Sequence, residues 1–197
     1  MKPFRSVTGP AIPLDRVDVD TDQIIPKQFL KRIEKSGYGD FLFYDWRYLS
    51  DGSPDPEFVL NRKEYQGAPI LLAGRNFGCG SSREHAAWAL ENYGIRTVIS
   101  SSFADIFLSN CYQNGILPVT LSDADARTLM DRTLAHPGTA LTVDLEACVV
   151  SDGQGFRATF EVDPFRRNCL LEGLDDIDLT FRELDRIRAF EEARESA

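Results

Sequence analysis

The seventeen residues from Gly74 to Leu90, GRNFGCGSSREHAAWAL, constrain this chain more than any other stretch. An apolar run, Pro69 to Ala73, precedes them and suits a buried strand, while Ala86, Ala87, Leu90 and Tyr93 recur after them at helical spacing. The segment therefore reads strand, loop, helix. Gly78 and Gly80 allow a tight turn and let a ligand approach main-chain N–H groups, to which a helix start adds the positive end of its dipole. Such a loop is built to meet an anion.

Ser81 has two readings. Ser81-x-x-Glu84 has the spacing of a capping box, in which each side chain satisfies an orphaned backbone donor. Against that stands the crowding of Ser81, Ser82, Arg83, Glu84 and His85, since a cap requires only the first and fourth. Arg83 in a first turn also has the wrong sign for the dipole, which points to an anionic partner. Arginine suits bidentate carboxylate binding, and a serine beside it in a positive, dry site has a more acidic hydroxyl. The second reading is a carboxylate clamp next to a serine base.

Other motifs fail on residue identity. The loop lacks the Gly-Lys-Ser/Thr of a phosphate loop, and Gly78-x-Gly80-x-x-Arg83 puts arginine where a dinucleotide fingerprint needs a small residue. Cys79 and His85 are separated by a helix start, so Cys79 is read as a small loop residue. Asp18-x-Asp20-x-Asp22 opens like a calcium loop, but Gln23 and Phe29 stand where that loop needs glycine and glutamate. Cys79, Cys111, Cys148 and Cys169 contain no CxxC pair, which argues for free thiols and against a zinc or iron-sulfur site carried by this chain. No metal ligand is assigned.

The net charge of −9 argues against a nucleic-acid surface, and any attraction for an anionic substrate has to be local, at Arg83 and the helix start. No apolar run reaches the roughly 20 residues of a membrane helix, so no membrane partner and a cytoplasmic location are expected. At 197 residues one α/β domain is the default, with helices appended from about residue 164.

Along the rest of the chain, Phe4 to Ile12 predicts a short first strand closed by a turn at Gly9-Pro10. Pro26 to Arg32 reads as a loop. The dense aromatics Phe41, Phe43, Tyr44, Trp46 and Tyr48 suit core or interface, with an interface favoured. Strands are expected around 97–99, 116–119, 139–145, 148–151 and 156–162, with a hairpin at Asp152-Gly153. Helices are expected from Phe103, from Ser122 and from Asp163-Pro164, and a last one capped by Thr180-x-x-Glu183.

The loop and helix GRNFGCGSSREHA resemble the signature of the swivelling domain of the aconitase superfamily, and within it the small-subunit family of 3-isopropylmalate dehydratases. The likeness extends over Asp20 to Leu30, Phe43 to Arg47, Ser102 to Phe107, Asn114 to Pro118 and Asp163 to Arg167, and so over essentially the whole chain. It implies a single β/β/α swivelling domain over residues 1–197. The implied reaction is the reversible isomerisation of 2- and 3-isopropylmalate through 2-isopropylmaleate, in leucine biosynthesis. The implied partner is a large subunit, which carries a four-iron four-sulfur cluster, with none bound by this chain.

Carried over onto matching positions, Ser81 would be the base. Arg83 would stabilise its deprotonated form and grip a carboxylate of the dicarboxylate substrate, Ser82 would bind substrate, and Gly80 would offer its main-chain N–H. Asp22 would orient a histidine of the partner subunit. Aconitases hold the extra carboxylate of citrate with an arginine in the loop matching Lys27 to Leu30; here Leu30, with Phe29 beside it, would meet an isopropyl group instead. Two alternatives stand beside this reading. One is the small subunit of a related hydro-lyase such as a homoaconitase or citraconate hydratase. The other is a non-catalytic carboxylate-binding regulatory subunit in which Ser81 only caps its helix.

Overall fold

The computed structural model describes residues 1–31 and 35–195; Arg32, the expected end of the loop from Pro26, lies outside them. The strands are β1 Ser6–Leu14, β2 Ile70–Ala73, β3 Thr97–Ser100, β4 Leu117–Thr120, β5 Ala140–Asp144, β6 Val149–Ser151 and β7 Arg157–Thr159. The helices are α1 Thr21–Ile24, α2 Tyr44–Arg47, α3 Glu84–Tyr93, α4 Asp105–Gln113, α5 Asp123–Ala135, α6 Pro164–Glu172, α7 Asp176–Arg182 and α8 Leu184–Glu195. Among the described residues, no helix is long and apolar enough to cross a membrane.

The strands form one sheet in the order β4-β3-β2-β1-β5-β6-β7. Strands β1 to β4 run parallel, and β5 to β7 form an antiparallel meander joined to the other edge of β1. The long strand β1 serves both parts. Its residues Ser6 to Pro10 pair with β5 and its residues Ala11 to Leu14 with β2. No turn closes it at Gly9-Pro10, contrary to the sequence expectation. Each half of β1 pairs with a single neighbour, the setting in which a strand tolerates proline. Gly9 is needed for space, because a Cβ there would lie 2.7 Å from the Pro69 ring.

Side chains alternate across the parallel strands, as a pleated backbone requires, and both faces are buried. Ala11, Ile70 and Leu72 join Ile99, Leu117, Leu129 and Leu170 on one face. Ile12, Leu14, Leu71 and Ala73 join Phe77, Leu90 and Val98 on the other, under α3 and the aromatic segment. Phe43 is fully buried there, and Phe41 and Trp46 pack against the same core, so the inner part of the aromatic cluster is core rather than free surface.

Helix starts divide into local and tertiary cases. Ser122 caps α5 by accepting from Asp125 N, and Asp163 caps α6 from Arg166 N with Pro164 in the first turn, as the sequence implies. Thr180 lies inside α7 and its hydroxyl donates to Asp176 O; the capping box in this region is Asp175 with Asp178. Ser81 is not a cap either. Helix α3 starts at Glu84, its N-cap residue is Arg83 in extended conformation, and among the described residues no side chain caps it. Glu84 instead accepts from Asn114 at 3.2 Å. Accordingly Ser122→Ala should lose about 1 kcal/mol of stability in urea denaturation. Ser81→Ala should stay within about 0.5 kcal/mol of the unaltered chain; equal losses would restore Ser81 as a cap.

Candidate active site

Parallel strands that end together bring the loops at their carboxyl ends to one place, the usual position of a ligand site in such sheets. Here those loops are residues 15–20 after β1, 74–83 after β2 and 101–104 after β3. The middle loop is tied to both neighbours through its main chain. Gly74 N donates to Arg16 O at 3.0 Å, Asp18 N to Arg75 O at 2.9 Å, Gly78 N to Val19 O at 2.8 Å and Thr21 N to Cys79 O at 2.9 Å. On the other side Phe77 N donates to Ser102 O, and Ala104 N to Phe77 O, both at 3.1 Å. The Thr21 hydroxyl then donates to Ser81 O at 2.7 Å, which holds Ser81 outside α3.

Gly78 is required for two reasons. Its φ is +79°, and a Cβ there would sit 2.1 Å from the ring of Phe107, the side chain on which the loop rests. Phe107 in turn packs edge-on against Phe77 at 5.3 Å.

The result is a cleft of about 220 Å³ lined by Thr21, Gly80, Ser81, Ser82 and Arg83 on one side and by Ala104 and the first residues of α4, Asp105 to Phe107, on the other. Ser81 and Ser82 are exposed, and among the described residues neither hydroxyl has a hydrogen-bond partner. The starts of α3 and α4 both border the cleft, and among the described residues neither carries a side-chain cap. Their free N–H groups and dipoles favour negative charge in the cleft. A second cavity of about 270 Å³ lies behind the start of the loop, but its arginines are engaged: Arg127 with Asp15 and Asp131, Arg75 with Asp18.

The expected site residues are brought together unevenly. Arg83 donates to Asp22 Oδ1, joining the loop to α1, and its side chain is only 14% exposed. Lys27 approaches the other oxygen of Asp22 at 3.2 Å. The acidic series is thereby divided: Asp22 goes to these cations, Asp20 caps α1 by accepting from Gln23 N, and Asp18 accepts from Asn76 at 2.9 Å. Phe29 and Leu30 do not line the cleft. Phe29 stacks on Phe41 with centroids 4.1 Å apart, and both residues pack against the core beneath α3. Sequence reasoning assigned no role to Lys27, to the Thr21 anchor or to the wall formed by α4. The Ser102 to Phe107 segment was visible as a motif, yet nothing in its spacing indicated that it faces Ser81.

Cys79 and His85 do not form a nucleophilic pair. Burial, with Asp20 and Asp18 nearby, raises the Cys79 thiol above its usual range, and its Sγ points at Asp18 O at 3.4 Å. Burial lowers His85, whose ring packs on Trp88 at 4.6 Å and Tyr38 at 5.5 Å.

The Aconitase C-terminal domain family matches residues 1–124, and a family described as LeuD_N matches residues 127–164. A 3-isopropylmalate dehydratase small subunit of Acidobacterium capsulatum is 62% identical over 191 residues, covering 97% of this chain and 90% of that one. One of Brevibacillus brevis is 56% identical, covering 98% and 100%. The chain belongs to the 3-isopropylmalate dehydratase small-subunit family. The fold agrees: the crystal structure of a 3-isopropylmalate dehydratase from Methanocaldococcus jannaschii superposes with a TM-score of 0.66 at 28% identity, covering 93% of this chain and 99% of that one. The swivelling-domain class read from GRNFGCGSSREHA is therefore correct for a member of this small-subunit family.

Because the Gly78 position combines a left-handed backbone with contact on Phe107, Gly78→Ala should cost roughly 2 to 4 kcal/mol, combining backbone strain with overpacking. Gly52, also at positive φ but with open space around it, is the control: Gly52→Ala should cost about 1 kcal/mol. Calorimetric melting of the two variants checks this.

Proposed function

We propose that this chain is the small subunit of a 3-isopropylmalate dehydratase and supplies the proton-transfer and carboxylate-binding half of a hydro-lyase site. The observation that carries the reading is the free Ser81 hydroxyl beside Arg83 in a cleft bordered by two uncapped helix starts. Interconversion of 2- and 3-isopropylmalate removes a carbon-bound proton and an adjacent hydroxide, then returns water the other way round. Ser81 takes and returns the proton. Arg83 stabilises the serine oxyanion and binds a substrate carboxylate, and Ser82 and the Gly80 N–H hold the substrate. A serine hydroxyl is a very weak acid, so this role needs water excluded and positive charge concentrated, which the closed complex with the large subunit provides.

The four cysteines lie in separate parts of the fold, and among the described residues no three of His, Cys, Asp and Glu gather as ligands. The residues of this chain thus do not fit a four-iron four-sulfur cluster, and we assign the cluster to the large subunit. Bound there, the cluster would supply Lewis-acid chemistry for the departing hydroxide. Asp22, held by Arg83 and Lys27 in this chain, is assigned to orient a histidine of the partner subunit across the interface. A cytoplasmic biosynthetic enzyme is the setting that fits.

Reconstitution with the cognate large subunit under anaerobic conditions tests the reading, with turnover of 2-isopropylmalate expected from the complex and not from this chain alone. In that complex Ser81→Ala should abolish turnover with stability nearly unchanged, and Arg83→Lys should lower kcat/KM by tenfold or more, roughly, for loss of the bidentate fork. Activity retained in Ser81→Ala would favour a non-catalytic carboxylate-binding subunit.

Substituent specificity is assigned to Leu30 with Phe29. Although both pack on the core and neither lines the cleft, Lys27 of the same short turn contacts Asp22, which supports a place for this loop beside the site. Leu30→Ala should reduce the preference for isopropylmalate over methylmalate by roughly ten-fold, the worth of a few methylenes in an apolar pocket. Unchanged ratios of kcat/KM would remove Leu30 from the substituent pocket.

A further inference from the structure

Lys27 has no part in the chemistry above, yet it shares a carboxylate with the residue that has the largest part. It opens the short 3-10 turn after Pro26, and its ammonium lies 3.2 Å from Asp22 Oδ2 while Arg83 holds Oδ1. One carboxylate thus carries two cations in very different surroundings: the Arg83 side chain is 14% exposed and that of Lys27 is 72% exposed. The other acids nearby do not compete for these cations. Asp20 is occupied in its cap, Glu84 accepts from Asn114, and Asp105 borders the cleft from the first turn of α4, where its charge complements the dipole.

For Arg83 to close on a substrate carboxylate it has to loosen its hold on Asp22. Leaving the Asp22 carboxylate, 37% exposed, without a cation carries a modest cost, and that cost falls on substrate binding. An ammonium on a flexible stem, already in contact with the other oxygen, removes that cost by remaining with Asp22 as the guanidinium turns away.

We propose that Lys27 is a positioning residue that retains Asp22 while Arg83 exchanges it for the substrate carboxylate. The proposal rests on the assignment of Arg83 as carboxylate clamp. Without Lys27, Asp22 has Arg83 alone and competes directly with substrate for it, so the loss appears in KM rather than in kcat.

Two experiments decide it. In this chain alone, nitrogen-15 NMR of the arginine guanidinium groups follows rotation about the Arg83 Nε–Cζ bond. Lys27→Met should slow that rotation, because Asp22 then has one cation to hold instead of two; an unchanged rate overturns the proposal. In the complex with the large subunit, Lys27→Met should raise KM for 2-isopropylmalate roughly five-fold, the upper end for a partly exposed ion pair, with kcat within about two-fold. Lys27→Arg should restore KM, and in an Asp22→Asn background Lys27→Met should add nothing further. An unchanged KM overturns the proposal. So does a rise of the same size in the Asp22→Asn background, since Lys27 would then touch the substrate itself. If the unaltered complex does not turn over isopropylmalate, it is the functional reading that fails, and the NMR experiment still decides whether Lys27 shares Asp22 with Arg83.

Discussion

The structure depends on main-chain hydrogen bonds that lace the loop after β2 to the loops after β1 and β3. Seven of them run between residues 74–79 on one side and residues 16–21 or 102–104 on the other. Carbonyls and amides of a glycine-rich loop are costly to leave unpaired at a half-buried position, so satisfying them fixes the loop path. That path sets everything downstream: Ser81 is held short of the helix by Thr21, Arg83 becomes the extended residue at the helix entrance, and Gly78 rests on Phe107 at the start of α4. A site on such a frame is positioned by backbone, with its side chains left available for chemistry.

Local electrostatics reconciles an acidic chain with a cleft that favours negative charge. The −9 net charge is a property of the whole surface, whereas the cleft is bordered by two helix starts, by Arg83 and by the single acid Asp105. Interactions at this range are set by local groups, because more distant surface charges are screened within about 8 Å at physiological salt. The Asp22 pairing keeps Arg83 in position before substrate arrives. If Arg83 is the proposed carboxylate clamp, its release from Asp22 is part of binding.

Local signals in the sequence carried much of the fold. The cap at Ser122, the Asp163-Pro164 start and the apolar run of β2 depend on residues within a few positions of one another, and the structure places them as read. Local spacing misleads where tertiary partners override it. Ser81-x-x-Glu84, one of two readings of that serine, has the right letters for a cap, but Thr21 and Asn114 engage the two residues separately. Gly9-Pro10 looks like a turn, yet it marks the point at which β1 passes from β5 to β2. Asp22 and Arg83 are far apart in sequence and met only through resemblance to a family, while Lys27 and the wall formed by Asp105 and Ile106 needed the three loops to be assembled. The stacking of Phe29 on Phe41 was likewise invisible, because both lie in stretches with no regular period.

The central claim is that the loop from Gly74 to Arg83 is half of a substrate site, completed by another subunit. A crystal structure of the anaerobic complex with its large subunit and bound 2-isopropylmalate tests it most directly. The account predicts Arg83 bidentate on a substrate carboxylate and Ser81 Oγ at roughly 3 Å from the carbon that loses its proton, allowing for a short contact in the closed state. Substrate bound away from this loop, with Ser81 and Arg83 facing solvent, would contradict it.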